Sequence, residues 1–427
     1  MNMLRFTKLA IVVPILVILM MPTIDVFPIV NALTKNTFDD SHTTARFGNS
    51  KVCGDHLCAP GEHQKMIEAM MQAQRTKYVT PSTAANSPLQ SAPSNISQDV
   101  FNKHGNILIS DQFNNRVIEV NPVTKDIVWS FGSGNSSLCN PGPGAIIGTN
   151  DAERLSDGLT LIAGTGLPAG ALGSMSKGCV DNRVIVVNQA GQIVWQYGQA
   201  GVTGSDPNML NAPVFAIQLP NHDILITDQG NNRIIEVNQQ KQIVWSYGPS
   251  SGPGALNSPN SAELLPNGNI LIADQNNNRA IEITHDGNIV WQYNTSLQAV
   301  AFASRLPDGH TLIVDSGHSH IVEINEQKSI VFQYFTNATS GSNSSPTPSN
   351  AVRLVNGETS IADQFNDRII IIDSKGNTVF QYGMTNMTGV GTNELNAPYS
   401  AFVIGDYTGQ TPPPSNSNFI SHNFLNP

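Results

Sequence analysis

Charge is scarce in this sequence. Asp, Glu, Lys and Arg together make up 13% of the 427 residues, about half the share of an average soluble protein, which excludes a highly charged disordered chain and a coiled coil. Basic residues are the scarcer sign: 22 Lys and Arg stand against 32 Asp and Glu, a net charge of −10 without a basic cluster. Nucleic acid is therefore not an expected partner. Cysteine is sparse, with four residues, and the apolar run from Leu9 to Met21, broken by Pro14, is short for a membrane span. What is plentiful is turn chemistry. With 35 Gly, 26 Pro and abundant Asn and Ser beside 40% hydrophobic residues, the composition predicts many short strands in a folded chain. The length allows two or three domains or one large repeat architecture.

Arg5 and Lys8 precede the apolar run, and Val30-Asn31-Ala32 offers a small-residue cleavage site after it. Residues 1–32 thus read as a secretory signal peptide. If uncleaved, the same segment, extended by Ile24 to Val30 past the single acid Asp25, tethers the chain to a membrane. Either reading places the protein outside the cytoplasm, secreted or at the cell surface. Paired cysteines suit such a compartment, as Cys53–Cys58 and Cys139–Cys179. Sequons at Asn95, Asn135, Asn294, Asn337, Asn343 and Asn386 fit a glycosylated surface, and equally arise by chance in Asn/Ser-rich loops.

A repeat dominates the rest. Residues 214–248 read VFAIQLPNHDILITDQGNNRIIEVNQQKQIVWSYG, and 261–293 read SAELLPNGNILIADQNNNRAIEITHDGNIVWQY. Further copies begin at 104, 308 and 356, and a sixth, SDGLTLIAG at 156–164, resumes after an insertion as DNRVIVVNQAGQIVWQYG at 181–198. Trp129, Trp195, Trp245, Trp291, Phe332 and Phe380 mark one position, roughly 40–50 residues apart save for one longer interval. Each copy supplies four short antiparallel strands with two apolar faces, so neighbouring sheets must sandwich it, and six such sheets close into a ring. The expected fold is all-β, a six-bladed propeller over 95–406. A Cys/His-containing extension at 33–77 with a short helix, a linker at 78–94 and a tail at 407–427 flank it. Residues 395–405 repeat the opening of the third copy and provide a spare first strand to close the ring.

The phrase NGNILIADQNNNRAIEITHDGNIVWQY resembles the repeat of NHL-type six-bladed propellers, and also repeats of arylsulfotransferase-like and PQQ-like propellers. These families include lyases, sulfotransferases, quinoproteins and binding modules, so the resemblance implies the fold and leaves function open. The resulting expectation is an extracytoplasmic binding module, with a protein, glycan or small-molecule ligand on its loop-rich face. The alternative is an enzyme, arylsulfotransferase-like or a metal-dependent lyase of NHL type. No residue set supports a quinone.

Strand direction sorts the loops. If each first strand descends, the inter-blade loops and the DQxNNR turns share the top, and the PNG and NQxG turns share the bottom. Cys139 and Cys179 then both lie on top, where their bridge pins the insertion 165–180. The long loops 335–349 and 383–396 also lie on top, so that face is the expected binding face.

Asp111, Asp228, Asp274, Asp315 and Asp363 recur at one position, with Arg116, Arg233, Arg279 and Arg368 five residues on. One carboxylate per turn falls short of a calcium ligand set, so a structural Asp–Arg pair is the preferred reading. Departures from the repeat are the candidate sites. Blade two has Gly164 in place of Asp, and blade five replaces NNR with His318-Ser319-His320, either a drifted turn that exposes two histidines, the preferred reading, or two imidazoles serving as metal ligands or as nucleophile and general base. Arg154, Arg305 and Arg353 share a first-strand position, either collecting an anion in the axial channel or pairing with Glu153, Glu263 or a neighbouring blade. Cys53, His56, Cys58 and His63, with Met66, Met70 and Met71 nearby, have the residue types of a copper or zinc site, and a Cys53–Cys58 disulfide accounts for them without metal. The cofactors considered are therefore Ca, Cu and Zn.

Overall fold

A computed structural model describes residues 101–142, 144–169 and 178–406, and the backbone of 52–53 and 56–57. Val52–Cys53 and His56–Leu57 pair antiparallel, with Val52 opposite Leu57 and Cys53 opposite His56. The expected helix near 60–77, the side chains of the Cys53/His56/Cys58/His63 set and the sequon Asn95 lie outside the described residues.

Six four-stranded antiparallel sheets follow, one per repeat. Blade two comprises Thr149–Arg154, Thr160–Leu167, Cys179–Val187 and Ile193–Gly198. Blade three opens with Pro213–Gln218, blade four with Pro259–Leu264, blade five with Val300–Arg305 and blade six with Asn350–Arg353. Blade one is assembled from both ends of the repeat array. Pro398–Val403 pairs with Ile107–Asp111 and supplies its first strand, with Ala401 opposite Ile109. Each first strand contacts those of the blades before and after it, which closes the ring.

Burial explains why these segments are strands. In blades one, four and six the second strand, such as Ile270–Asp274, is buried throughout because both faces meet neighbouring blades. Fourth strands such as Ile243–Tyr247 alternate between exposed and covered positions, as an outer rim should. First strands converge on the axis, and one position is Ala in every blade: Ala152, Ala216, Ala262, Ala303, Ala351 and Ala401, all buried. A larger side chain there would force the strands apart.

The repeated tryptophan stitches adjacent blades. The indole N–H of Trp129 donates to Gln189 O at 2.9 Å, that of Trp195 to Gln239 O at 3.4 Å and that of Trp245 to His285 O at 2.9 Å, each on the next blade's bottom turn. On top, the residue after each short 3-10 turn adopts a left-handed conformation that suits Asn. Asn115, at φ 52°, accepts from Gly148 N–H of blade two at 2.8 Å, and Asn232 likewise accepts from Ser258 N–H of blade four at 2.7 Å.

Candidate functional site

The recurrent Asp is a junction. Asp274 Oδ1 accepts the backbone N–H of Asn257 in the preceding inter-blade loop at 2.8 Å, while Oδ2 accepts from Asn277 Nδ2 at 2.8 Å and Arg279 Nε at 2.7 Å. Asp111 and Asp228 repeat the arrangement through Arg116 and Arg233, each at 2.7 Å. Asp363 pairs with Arg368 at 2.7 Å. The carboxylates of Asp111, Asp228 and Asp274 fasten loops to blades, and burial pushes these three and Asp363 upward against the pull of their arginines.

Blade two keeps the junction by moving the acid. Gly164 occupies the Asp position, and Asp181 on the third strand takes over the role. Its Oδ1 accepts from Arg183 Nε at 2.6 Å and its Oδ2 from Ile147 N–H at 2.7 Å. A Cβ at Gly164 would lie 3.0 Å from Asp181 Cγ and 2.4 Å from Ile146 Cδ1, so the glycine makes room for the relocated carboxylate. Beside it the Cys139–Cys179 disulfide is formed, with Cα atoms 5.2 Å apart, within the usual bridging range.

Blade five keeps the acid and exchanges its donors. His318 Nδ1 lies 2.8 Å from Asp315 Oδ2, where other blades present an Asn amide, and His320 Nδ1 lies 3.6 Å from the same oxygen, where they present Arg. His320 is buried and stacked on Phe335 at 4.2 Å with rings nearly parallel, and its Nε2 has no hydrogen-bond partner among the described residues. The His318 side chain is 47% exposed, forming an Asp–His dyad open to the top face.

The three arginines sit at the bottom, between blades. Arg154 Nη2 meets Glu119 of blade one at 2.8 Å, Arg305 Nη2 meets Glu282 of blade four at 2.9 Å, and Arg353 Nη2 meets Glu323 of blade five at 2.6 Å. Each guanidinium also covers the preceding blade's repeat aromatic: Trp129 at 5.0 Å, Trp291 at 5.0 Å and Phe332 at 5.8 Å. Burial raises the Glu119 carboxyl, opposed chiefly by Arg154. His310 joins the blade-five latch through Nδ1, 2.7 Å from Glu323 and 3.4 Å from Asp308, the three grouped closely enough to consider a metal. Asn269 makes the equivalent bond to Glu282 in blade four at 2.6 Å, so hydrogen bonding alone accounts for the group.

Polar side chains also line the axis, a feature the repeat pattern did not reveal. At the top, Gln364 Nε2 donates to Gln112 Oε1 at 2.9 Å, Gln112 Nε2 to Asn150 Oδ1 at 2.6 Å and Gln229 Nε2 to Gln275 Oε1 at 3.1 Å. Tyr399 of blade one donates across the axis to Asn260 Oδ1 of blade four at 3.0 Å. Phe215 and Phe302, from blades three and five, meet at 5.7 Å. Asp151 and Glu153 on the first strand of blade two take backbone N–H bonds from Ala216 and Gln218, each at 3.2 Å. These N–H groups lie on the open edge of blade three's first strand, so the carboxylates cap an edge that has no further strand to pair with. Burial pushes Asp151 up to about 7 and Glu153 up to about 8.

Of the sequons on described residues, Asn135, Asn294 and Asn337 are exposed on the top loops. Asn343 and Asn386 are half-buried with their amide nitrogens donating to Phe365 O and Gly341 O.

Among solved structures, a protein of unknown function from Bacteroides caccae is similar at 17% identity and a TM-score of 0.50, over 70% of this chain and 98% of that one. Virginiamycin B lyase from Staphylococcus aureus aligns at 16% identity and a TM-score of 0.43, over 66% of this chain and 85% of that one. The first likeness shows the propeller fold, and the second adds no argument about chemistry. No curated protein matches the chain. Residues 179–408, more than half of the sequence, match the PQQ_2 family described as outer membrane protein assembly factor BamB, and this six-bladed propeller belongs to that family.

Proposed function

We propose that the protein is an exported binding module whose top face holds a partner protein. The observation that carries this reading is how the repeated polar groups are used. The recurrent Asp–Arg and Arg–Glu pairs of the blades are latches between strands, loops and blades, which makes a rigid ring. The loops above it are long, unlike one another and pinned by a disulfide. Apolar side chains are exposed among them, including Val202, Met387 and Val390. Variable loops on a rigid scaffold are where binding resides, and a family described as an assembly factor fits a scaffold better than a catalyst. Export through residues 1–32, glycosylation at the exposed sequons, NHL-type ancestry of the repeat and the flanking segments 33–77, 78–94 and 407–427 are parts of this reading. Photo-crosslinking side chains placed at Val390 on top and at Asn267 on the bottom test it. Adducts with a cognate protein are expected from the top position; adducts formed chiefly from Asn267 would overturn the assignment.

A second reading rests on the Asp315–His318 dyad. An imidazole held by a buried carboxylate at 2.8 Å and exposed on its far side has the arrangement of a general base. Turnover of aryl sulfates or another substrate that His318→Asn abolishes would favour an enzyme, arylsulfotransferase-like or of the lyase type.

A further inference from the structure

Three neighbouring first strands place oxygen-bearing side chains at one level of the axis. Asn350 of blade six, Ser400 of blade one and Asp151 of blade two lie opposite Ala362, Ser110 and Ala163, equivalent positions of their second strands. The Ser400 hydroxyl bonds the Asp151 carboxyl, so the arc is continuous from blade one to blade two. The same level in blades three and five is aromatic, Phe215 and Phe302. Ser261 of blade four stands between them, so the carboxylate and amide groups of this level lie on one side of the axis and the aromatic rings on the other.

The polar side is left incomplete. Asp151 Oδ1 and Asn350 Oδ1 are buried with no hydrogen-bond partner among the described residues, and both residues are 2% exposed. Among the described residues, Asp151 and Glu153, two residues apart on one strand, form no ion pair with Arg, Lys or His. Asp111, Asp181, Asp228, Asp274, Glu119, Glu282 and Glu323 each have an arginine. Burying a carboxylate without a counter-charge is costly, and Phe215 and Phe302 across the axis offer no compensation. Water would satisfy the orphan oxygens and leave the charge unbalanced, whereas a cation does both. Oxygen donors without nitrogen or sulfur select a hard cation, and two carboxylates favour a divalent one.

We propose that the axis holds a divalent cation of the calcium class, bound by Asp151, Asn350 and Ser400, with Glu153 supplying the second negative charge and water completing the shell. The ion joins the first strands of blades six, one and two, the blades between which the chain closes.

The test uses the full chain stripped with EDTA and returned to metal-free buffer, with thermal unfolding followed as calcium chloride is added and sodium chloride holding ionic strength constant. The melting temperature is expected to rise by several degrees at saturation, with one more equivalent of calcium retained after gel filtration than in the Asp151→Asn protein. Asp151→Asn keeps the side-chain shape and removes a buried charge, so its metal-free form should melt no lower than the metal-free parent, and the calcium-dependent rise should disappear. Asn350→Ala should move the half-saturating concentration upward about tenfold. Asp157→Asn, on an exposed bottom turn of the same blade, should leave the rise unchanged. An equal rise in Asp151→Asn, or no rise in the parent, would show that water and protonated carboxyls alone fill the axis.

Discussion

Asp274 holds together three pieces of chain: the loop from blade three, its own turn and the strand that starts at Arg279. Removing it leaves a largely buried guanidinium and an N–H without their acceptor. Asp274→Ala is therefore expected to cost about 3 kcal/mol in urea unfolding, near the low end for a broken buried pair. His318→Asn in blade five should be nearly neutral, within about 0.5 kcal/mol, because an Asn amide fills that place in other blades. The axial carboxyls make a pH prediction. A carboxyl whose folded value lies above its unfolded one holds its proton more tightly in the folded state. Its stabilising contribution is complete below about pH 4 and is lost as pH rises through the folded value. With Asp151 at about 7 and Glu153 at about 8, the melting temperature in EDTA should fall between pH 5 and pH 8. The double variant Asp151→Asn, Glu153→Gln should flatten that slope in part, since Asp367, also pushed up by burial to about 7, contributes with the same sign.

At the scale of a strand, blade two shows that a repeat conserves a contact and not a position. Its acid comes from the third strand, and Gly164 marks the vacated place. Restoring the repeat's usual residue should therefore harm the blade. Gly164→Asp would drive a carboxyl into Asp181 and Ile146, and a loss of roughly 1–3 kcal/mol in chemical denaturation is expected. A gain in stability would show that the relocated acid is not equivalent. The blade interfaces depend on smaller terms. Trp245→Phe removes one bond to His285 O while leaving most of the packing, and should cost about 1 kcal/mol.

For the whole molecule, closure is the decisive element. Pro398–Val403 covers the edge of Ile107–Asp111, and the segment just before it delivers Asn396 N–H to Asp111 at 2.8 Å. Deleting 395–427 exposes a long apolar strand edge and strips blade one of its first strand. The melting temperature is expected to fall on the order of 10 °C or more, with aggregation on storage. A chain that melts unchanged would mean that the other blades hold the ring without it.

The number of blades, the strand order within each, the closing segment and the Cys139–Cys179 bridge were legible because they follow from short-range periodicity and from counting strand directions. Alternation of apolar residues, Asn-rich turns and one aromatic per copy act within a few residues of one another, so the sequence carries them openly. The side-chain destinations belong to the ring. Arg154 could face the axis or a neighbour by its strand position, and its Glu119 and Trp129 partners exist as a set once blade one stands beside blade two. The same holds for Asp181 replacing the missing acid of blade two, and for Asp151, Ser400 and Asn350 standing at one level of the axis although they are far apart in the chain. Periodicity fixes which residues share a face of one sheet; which face of the next blade they meet is set by twist and closure, and that only the tertiary structure decided.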